Sequence, residues 1–363
     1  MDINFDLLIS GCNTRCRHCY VNGGPGRNIL LSDALRCISR LDELGAALPV
    51  PSSFTLDNEP FNHPDIAAII RAAASVNHIF HFHHGMTTGI ALLRREDKEA
   101  VVRAYMDCGY TEFGITLHGS PVHHDEIVRR EGACEASVKA AEFLKSCGAE
   151  LSVSLMMNRF FPEDAGWISD TLNRLNPALI FFAVPNYTPH SGMPDFEPYR
   201  ASLADLQILS SRLEQWRQQP AGLLREAEIS TPAAMAAQLE QGLSLRELFI
   251  REQEELYLSV HQDRLLYMGN TGVETACLGD LDTLDLAIAA NQISHAPGNR
   301  DYGAFYDPEL LPDQEKLICA LKRLPPGTLY GDPASVICRG LAELRLPTRM
   351  MAQLNITSQE DQQ

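Results

Sequence analysis

The sequence predicts an α/β fold in which six strands alternate with helices, followed by a mostly helical region that contains one β-hairpin. Short apolar runs of strand length recur through the first half of the 363 residues. Between them lie longer segments whose apolar residues are spaced as on one face of a helix. The connections are short, and such an alternation predicts parallel strands joined by right-handed crossovers.

The six predicted strands and the helices between them occupy the first 195 residues. The strands cover residues 4–10, 53–56, 79–83, 112–117, 150–156 and 179–184. Helices are predicted between an N-cap at Ser32 and a closing Gly45, and then over residues 63–74, 96–108, 133–146 and 164–175. A closed eight-stranded barrel would need two further units, but the alternation stops near residue 195.

The second half of the chain has a different pattern. Two apolar runs, 256–260 and 264–268, predict a β-hairpin that turns at Gln262-Asp263. Helices are expected over residues 203–216, 231–239, 244–255, 283–292, 313–322 and 332–344, with a break at 219–222. The sequence therefore predicts a first domain of residues 1–198 and a C-terminal region of residues 199–363.

The composition excludes several classes of partner. The net charge is −17 and the isoelectric point is about 5.1, which argues against binding to a nucleic-acid backbone or to an anionic membrane surface. No apolar run is long enough to span a membrane, and the N-terminus leads directly into a strand without a signal peptide. Ten cysteines, with three of them clustered, favour metal ligation over disulfides and hence a reducing cytoplasm.

The clustered cysteines, Cys12, Cys16 and Cys19, follow the first predicted strand with the spacing C-x3-C-x2-C. Thiols this close on one loop make strained disulfide partners. A structural zinc takes four ligands, and no second Cys/His pair is near in sequence. Three thiolates on one loop suit three corners of an iron–sulfur cluster and leave one iron open, as a catalytic metal requires. A zinc loop or a chance cluster is the alternative.

This loop, which we call the cysteine loop (residues 12–19), resembles the signature of the radical S-adenosylmethionine (radical SAM) superfamily. The resemblance implies a partial (β/α)6 TIM-like barrel, open on one side for a large substrate. It also implies two cofactors, a [4Fe–4S] cluster on Cys12, Cys16 and Cys19 and SAM on the open iron. In this family an electron from the cluster cleaves SAM and releases a 5′-deoxyadenosyl radical.

Two further stretches resemble SAM-binding motifs of the family. Asn58-Glu59-Pro60 stands where the family usually has Gly-Gly-Glu-Pro, whose backbone and carboxylate hold the SAM amino group. A carboxylate beside an ammonium is the expected charge-assisted pair. Asp57 and Asn58 replace the two glycines, so backbone contacts at this site are in doubt. Thr87-Thr88-Gly89 resembles the family's Thr-Asn-Gly, which implies a place for Thr88 in the floor of the site. An ordinary strand end is the alternative.

Other SAM contacts are implied by position. Thr116 matches the fourth-strand hydroxyl residue that often contacts the SAM ribose. Arg129, with Arg130 as a substitute, matches an arginine that can reach the SAM carboxylate, and a guanidinium suits a carboxylate bidentately; a solvated basic pair is the alternative. His18 stands where the family often has an aromatic ring near the adenine, and Leu155 is expected to give the adenine an apolar or backbone contact.

Candidate catalytic residues follow the sixth strand, on the substrate side of the predicted barrel. Tyr187 and His190 are candidates for substrate contact or for donating a hydrogen atom, and Asn186 lies beside them. The histidine-rich run around His81 and His83 suggests a metal site, because strand alternation puts both rings on one face. A satisfied polar barrel interior is the favoured alternative for these two histidines.

Many relatives carry auxiliary iron–sulfur clusters in a C-terminal SPASM or twitch domain. The stretch Gly272 to Leu281 resembles the start of such a domain, but the expected upstream cysteine is absent and His261 is the nearest residue able to ligate. An auxiliary cluster normally takes four cysteines. Cys277, Cys319 and Cys338 remain, so we expect a SPASM-like scaffold without its clusters, with one cluster on these three residues as the alternative.

The resemblance implies a radical SAM enzyme that abstracts a hydrogen atom from a ribosomal peptide, with a flavodoxin or ferredoxin as electron donor. The alternatives are the same chemistry on a sugar, amino acid or antibiotic precursor, and a non-catalytic iron–sulfur or zinc-binding module. The sequence predicts no nucleic-acid or membrane partner and a cytoplasmic location. Glu59, Thr116 and Arg129 argue against the non-catalytic module, because a pure metal site has no need of a SAM pocket.

Overall fold

The structure is a computed structural model, and it describes residues 2–19, 21, 23–81, 86–188, 193–217, 222–223, 229–245, 255–272, 274–296 and 311–346. Its strands are β1 (Asp2–Leu8), β2 (Ser52–Asp57), β3 (Phe80–His81), β4 (Met86–Thr87), β5 (Glu112–Leu117), β6 (Glu150–Met156), β7 (Leu179–Ala183), β8 (Gly222–Leu223), β9 (Glu255–Val260), β10 (Leu265–Met268) and β11 (Ala276–Asp280).

The α-helices alternate with the strands in the first half and dominate the second. They are α1 (Leu31–Ala47), α2 (Ile66–Ala73), α3 (Ile90–Arg94), α4 (Lys98–Asp107), α5 (Pro121–Val128), α6 (Ala133–Ser146), α7 (Phe161–Leu175), α8 (Leu203–Arg212), α9 (Glu214–Arg217), α10 (Pro232–Glu240), α11 (Leu286–Ser294), α12 (Gln314–Leu321) and α13 (Pro333–Glu343). Short 3-10 helices cover Pro60–Asn62 and Met193–Tyr199. None of the helices in the described part of the chain is long and apolar enough to cross a membrane.

The strands form two sheets, with the orders β11-β10-β9-β1-β2-β3 and β4-β5-β6-β7-β8. All neighbours pair in parallel except those that involve β10, which are antiparallel. The predicted α/β fold with parallel strands is therefore confirmed. The predicted fourth and fifth strands have the same bounds as β5 and β6.

The predicted third strand, 79–83, is present as the short strands β3 and β4, which belong to different sheets. β3 pairs with β2, and β4 pairs with β5. Residues 82–85, which include His83, lie outside the described residues. The junction between the two sheets thus falls at the third unit of the barrel.

Alternation along β1 separates a core face from an interior face. Ile3, Phe5 and Leu7 are fully buried in the layer between the sheet and the helices. Asn4 and Asp6 point to the opposite face, because successive side chains of a strand alternate. The interior of the barrel is accordingly lined by polar side chains on this strand, while its outer face packs against apolar helix residues.

The predicted hairpin joins the barrel instead of standing apart from it. β9 runs parallel to β1 and pairs with it from Asp2 to Leu7. Leu256, Leu258 and Val260 of β9 are fully buried in the same core as the apolar residues of β1. The sequence did not predict this pairing, and it means that a division at residue 198 does not separate two independent cores.

The predicted break at 219–222 contains the start of a short strand. β8 pairs in parallel with β7, with Ile180 opposite Gly222 and Phe181 opposite Leu223. Parallel strands therefore flank the six predicted ones on both sides, β9 beside β1 and β8 beside β7. The partial barrel therefore has one extra parallel strand at each edge, and the antiparallel strands β10 and β11 follow β9.

Several helix boundaries differ from the prediction. α1 begins at Leu31, after Leu30 and without a side-chain cap, so the predicted N-cap at Ser32 is wrong. Gly45 lies inside α1, where a Cβ would come within 3.0 Å of the His78 carbonyl oxygen. Close packing of α1 against residues 78–79 explains this glycine better than a cap does. α5 was not predicted, and the predicted helix 244–255 falls mostly on residues outside the described part.

The last helices form a core of their own. α10, α12 and α13 pack together, and each is capped by the residue at which its helix was predicted to begin: Thr231, Asp313 and Asp332 each accept a hydrogen bond from the first turn. Arg200 connects this core to the end of β7, because its Nη1 donates to the Pro185 carbonyl at 2.6 Å and its guanidinium lies over the Tyr330 ring.

The pairing of β9 with β1 predicts that the hairpin stabilises the barrel. Leu258→Ala should lower the free energy of unfolding by about 2–5 kcal/mol, since Leu258 is 0 % exposed. Amide hydrogen exchange of β1 should become faster in this variant, because the two strands share one core. The matched control is Leu239→Ala, which empties a similar volume in the C-terminal helical core. Equal exchange of β1 in both variants would contradict the prediction.

Candidate active site

The cysteine loop is held at the C-terminal end of β1 by backbone hydrogen bonds. The Cys12 N–H donates to the Gly24 carbonyl at 2.7 Å, which fastens the start of the loop. The Arg17 N–H donates to the Ile127 carbonyl at 3.0 Å, and the Arg15 N–H bonds to the next carbonyl of α5. The loop is therefore fixed between its own following segment and the end of α5.

Two of the three thiols, those of Cys12 and Cys16, contact a threonine that sequence reasoning did not select. The Thr14 hydroxyl lies 3.3 Å from the Cys12 Sγ and 3.4 Å from the Cys16 Sγ. The Gly23 N–H donates to the Cys19 Sγ at 3.1 Å. Burial raises the pKa of Cys16 and of Cys19 to about 12, so both thiols are neutral until a cation binds to them.

The residues around the loop fit a cluster of the iron–sulfur type. Gly23 lines a cradle, because a Cβ at this position would lie 3.4 Å from the Cys12 Cβ and 3.4 Å from the Cys19 Sγ. The buried Asn58 Oδ1 lies beside the same cradle and has no hydrogen-bond partner among the described residues. Among the described residues, no three His, Cys, Asp or Glu side chains are arranged to hold a single metal ion. A [4Fe–4S] cluster with an open iron instead takes three thiols, and the cysteine loop supplies three.

The backbone explains the asparagine that replaces a family glycine. Asn58 has a φ of 65°, in the left-handed region that glycine adopts without strain. Asparagine is among the few other residues that tolerate this conformation. Asn58 therefore adopts a backbone conformation that glycine could also take, and it adds a side-chain amide beside the cysteine loop.

Glu59 is fully buried and ties the end of β2 to the end of β4. Its Oε1 accepts from the Thr87 hydroxyl, and its Oε2 accepts from both the N–H and the hydroxyl of Thr88, each at 2.7 Å. Burial raises the pKa of Glu59, and these donors oppose that change. The Ser10 hydroxyl donates to the Glu59 carbonyl at 2.7 Å, so this residue also supports the start of the cysteine loop.

Thr116 and Leu155 have opposite orientations although they lie on neighbouring strands. Thr116 alternates with the buried Ile115 and Leu117, so it faces the barrel interior as predicted. Leu155 is 0 % exposed in the core between sheet and helices. The predicted apolar contact of the Leu155 side chain with the adenine is therefore wrong; its backbone alone can serve, and Ser154 faces the interior instead.

Three histidines are in contact beside the cysteine loop. The Nε2 atoms of His18 and His118 are 2.6 Å apart, and the His118 ring packs edge-on against His124. Burial lowers the pKa of His18 and of His124 to about 4, and it lowers that of His118 well below its usual value. The buried Nδ1 of His118 has no partner in the described part of the chain, so His118 is a site residue that the sequence analysis missed.

The two candidate arginines both flank the cysteine loop. Arg129 ends α5 with a φ of 56° and forms an ion pair with Asp195. It is close enough to Cys16 for its positive charge to favour the thiolate. The Arg130 Nη1 donates to the Asn13 carbonyl at 2.6 Å, so Arg130 supports the backbone of the loop. The assignment of Arg129 to the SAM carboxylate stays a prediction.

Tyr187 and His81, described members of the two predicted sites, lie in different parts of the fold. Tyr187 is buried in the C-terminal helical core, where burial raises its pKa to about 12. His190 lies outside the described residues. His81 contacts Phe54 of the outer core and its Nδ1 lies 2.7 Å from the Tyr110 hydroxyl, so it does not line the barrel interior as the sequence suggested.

The three cysteines of the C-terminal half lie in different surroundings. Cys277 and Cys319 are exposed, and Cys338 is buried among the apolar residues of α12 and α13. His261, the residue nearest to the missing upstream cysteine, instead lies with its Nε2 2.7 Å from the Glu274 Oε1. The expectation that this scaffold carries no auxiliary cluster stays a prediction.

Comparison with known families agrees with this geometry. Residues 7–171 match the family model of the radical SAM superfamily. The chain contains a radical SAM domain. Enzymes of this superfamily use a [4Fe–4S] cluster and SAM, and the matched range contains Cys12, Cys16 and Cys19. No curated protein matches the chain in sequence.

Solved structures show the same fold at low identity. SuiB of Streptococcus suis bound to the precursor peptide SuiA matches with 14 % identity and a TM-score of 0.53, over 81 % of this chain and 66 % of SuiB. anSMEcpe with bound AdoMet matches with 13 % identity and a TM-score of 0.56, over 94 % of this chain and 95 % of that one. anSMEcpe with bound AdoMet and the Cp18Cys peptide matches with 11 % identity and a TM-score of 0.50, over 94 % of this chain and 95 % of that one. This radical SAM chain spans about two thirds of the length of SuiB.

The bonds of Glu59 predict a structural cost for its removal. Glu59→Ala leaves the Thr87 and Thr88 donors without their acceptor, so the free energy of unfolding of the metal-free protein should fall by about 1–3 kcal/mol. Glu59→Gln keeps one acceptor oxygen and should cost less. Urea titration measures both values against Glu99→Gln, an exposed control on α4. Equal stability of all three variants would mean that the bonds carry no net free energy.

Proposed function

We propose that this radical SAM enzyme abstracts a hydrogen atom from a ribosomally made peptide held at the open end of its barrel. The observation that carries the proposal is the cysteine loop at the C-terminal end of β1, where the thiols of Cys12 and Cys16 contact Thr14 and the thiol of Cys19 accepts from the Gly23 N–H. The carboxyl ends of parallel strands are where βα folds place their reacting groups. When bound there, the cluster and SAM supply a 5′-deoxyadenosyl radical that takes the hydrogen atom.

The residues of the chain have separate tasks in this proposal. Cys12, Cys16 and Cys19 hold the cluster, and the backbone bonds of the loop to α5 keep the three thiols in place. Asn58 and Glu59 support the SAM amino group. A further set of side chains completes the SAM site: His18, Thr88, Thr116, Arg129 and the backbone of Leu155.

Two observations favour a peptide over a small metabolite as the substrate. The likeness to SuiB and anSMEcpe covers most of this chain, and structures of both contain bound peptides. The interior face of the barrel carries polar side chains such as Thr116 and Ser154, which can bond to a peptide backbone. Tyr187 and His190 remain our candidates for returning a hydrogen atom to the substrate.

The proposal also names an electron donor and a compartment. SAM cleavage needs one electron per event, and we propose that a reduced flavodoxin or ferredoxin delivers it. The clustered thiols need a reducing environment to remain free for iron, which fits the cytoplasm.

Anaerobic reconstitution tests the radical chemistry. The wild type, loaded with iron and sulfide, should form 5′-deoxyadenosine from SAM after reduction by dithionite. Cys16→Ser should abolish this product and lower the iron content, because one of three cluster ligands is lost. The iron content of the wild type should be about four per chain, the number in one [4Fe–4S] cluster.

Two controls separate the possible explanations. Cys277→Ser changes an exposed cysteine outside the cysteine loop and should leave both iron and 5′-deoxyadenosine unchanged. About eight irons per chain that fall in Cys277→Ser would show an auxiliary cluster. Bound zinc and no 5′-deoxyadenosine in the wild type would refute the radical assignment and support a metal-binding module.

A further inference from the structure

Three carboxylates lie together on the side of the barrel interior that adjoins the hairpin. Asp6 is on the inward face of β1, where its Oδ1 accepts from the Thr55 hydroxyl at 3.1 Å. Thr271 lies near the Asp6 carboxylate. Asp57 follows Thr55 by two residues and so lies on the same face of β2, and Glu274 lies with its Oε1 3.5 Å from the hydroxyl of Ser259, the residue opposite Asp6 on β9. We call Asp6, Asp57 and Glu274 the acidic layer.

Polar atoms without partners lie at the same place. Thr271 is 4 % exposed, and its hydroxyl has no hydrogen-bond partner among the residues that the structure describes. Thr271 lies near the Asp6 carboxylate, which places its hydroxyl close to the acidic layer. The neighbouring Asn270 Oδ1 is likewise buried and without a partner in the described ranges. Buried polar atoms are normally hydrogen-bonded, so these atoms indicate a missing polar partner.

The chemistry of these groups defines what the partner must be. Carboxylate and amide oxygens accept hydrogen bonds, so the partner must donate. Burial and the neighbouring carboxylates raise the pKa of Asp6 to about 8, so a buried positive charge would favour its ionised form. Glu274 is already fixed in place, because its Oε1 accepts from the Gly272 N–H at 2.8 Å and lies 2.7 Å from the His261 Nε2.

We propose that the acidic layer binds an ammonium or guanidinium group of the substrate, so that the enzyme selects a substrate with a positive charge. This inference rests on the proposed function, since it names the substrate class of the same cavity. A cation at this position receives hydrogen-bond acceptors from β1, β2 and the turn after β10. Its charge offsets the repulsion among the three partly buried carboxylates.

The position of the layer favours the substrate over SAM as the source of the cation. Asp6 and Glu274 of the acidic layer, and the adjoining Thr271, lie outside residues 7–171, the range that matches the radical SAM family model, whereas Asp57 lies within it. Thr271 and Glu274 belong to the turn between β10 and β11. Glu59 instead bonds to Thr87 and Thr88, on the other side of β2. The acidic layer is therefore built largely by the part of the chain that is not shared for SAM binding.

Peptide probes of matched size test the preference for a cation. The reconstituted enzyme with bound SAM is titrated with acetyl-Gly-Lys-Gly-amide and with the same peptide carrying Nε-acetyl-lysine. The lysine peptide should bind roughly 10–100-fold more tightly, as expected for hydrogen bonds to a charged group. The matching arginine peptide tests whether a guanidinium is accepted as well. Equal or undetectable binding of the lysine and acetyl-lysine peptides overturns the proposal.

Asp6→Asn is the decisive variant. Asparagine has the shape of the protonated aspartic acid, so the variant should fold, and the preference for lysine should shrink to about threefold or less. Thr271→Val removes the hydroxyl but keeps the backbone N–H, and should reduce the preference by a smaller factor. Glu135→Gln, at an exposed carboxylate paired with Lys139, is the control and should keep the full preference.

The pH dependence of binding gives a second readout. Asp6 is mostly protonated below its pKa of about 8, so affinity for the lysine peptide should rise as the pH increases from 6 to about 8. Glu274, whose pKa is lowered by its bond to His261 in spite of burial, stays charged throughout. Asp57 on β2 also faces Asp6. A pH dependence that survives unchanged in Asp6→Asn overturns the role of Asp6.

Failure of this inference is distinguishable from failure of the proposed function. Formation of 5′-deoxyadenosine from SAM tests the radical chemistry, and it should persist in Asp6→Asn. Loss of SAM affinity in Asp6→Asn would assign the acidic layer to the ammonium group of SAM and overturn the inference. A wild type without 5′-deoxyadenosine that still prefers the lysine peptide would refute the proposed reaction, while the cation site itself would stand.

Discussion

The pairing of β1 with strands on both sides is the constraint on which the active site depends. β2 fixes one edge of β1 and β9 fixes the other, although β9 begins about 250 residues later in the chain. Ile3, Phe5 and Leu7 are buried against the helices, so β1 cannot slide by one residue without exposing them. The cysteine loop leaves the end of a strand that is held on both edges and on one face.

The loop is then secured by contacts that do not involve the thiols. The end of α5 accepts hydrogen bonds from Arg15 and Arg17, and Arg130 donates to the Asn13 carbonyl. Glu59 connects the end of β2 to the end of β4, because its carboxylate accepts hydrogen bonds from Thr87 and Thr88. Asn58 adopts the left-handed backbone that glycine favours and leaves an amide oxygen beside the cradle. The three cysteines are therefore preorganised by backbone and carboxylate bonds, and these bonds leave the thiols accessible to a metal.

The two faces of the sheets have different roles: the outer face packs against the helices, and the interior face can contact a bound molecule. Apolar residues such as Val153, Leu155 and Leu258 fill the layer under the helices. The interior face carries Asp6, Thr116 and other polar side chains, which a bound molecule can contact. The hairpin contributes to both faces. β9 extends the core of β1, and the turn after β10 brings Thr271 and Glu274 to the interior.

The sequence by itself determined the local parts of this protein, and the tertiary structure decided how they meet. The spacing of Cys12, Cys16 and Cys19 and the bounds of β5 and β6 depend on patterns within a few residues, as do the helix starts near Thr231, Asp313 and Asp332, and the sequence predicted them. Leu155 and His81 lie in strands that were predicted correctly or in part, but periodicity does not say which face turns inward when both faces are buried. The pairing of β9 with β1 and the gathering of Asp6 with Glu274 join residues about 250 apart, so they follow from the complementarity of surfaces that form only on folding.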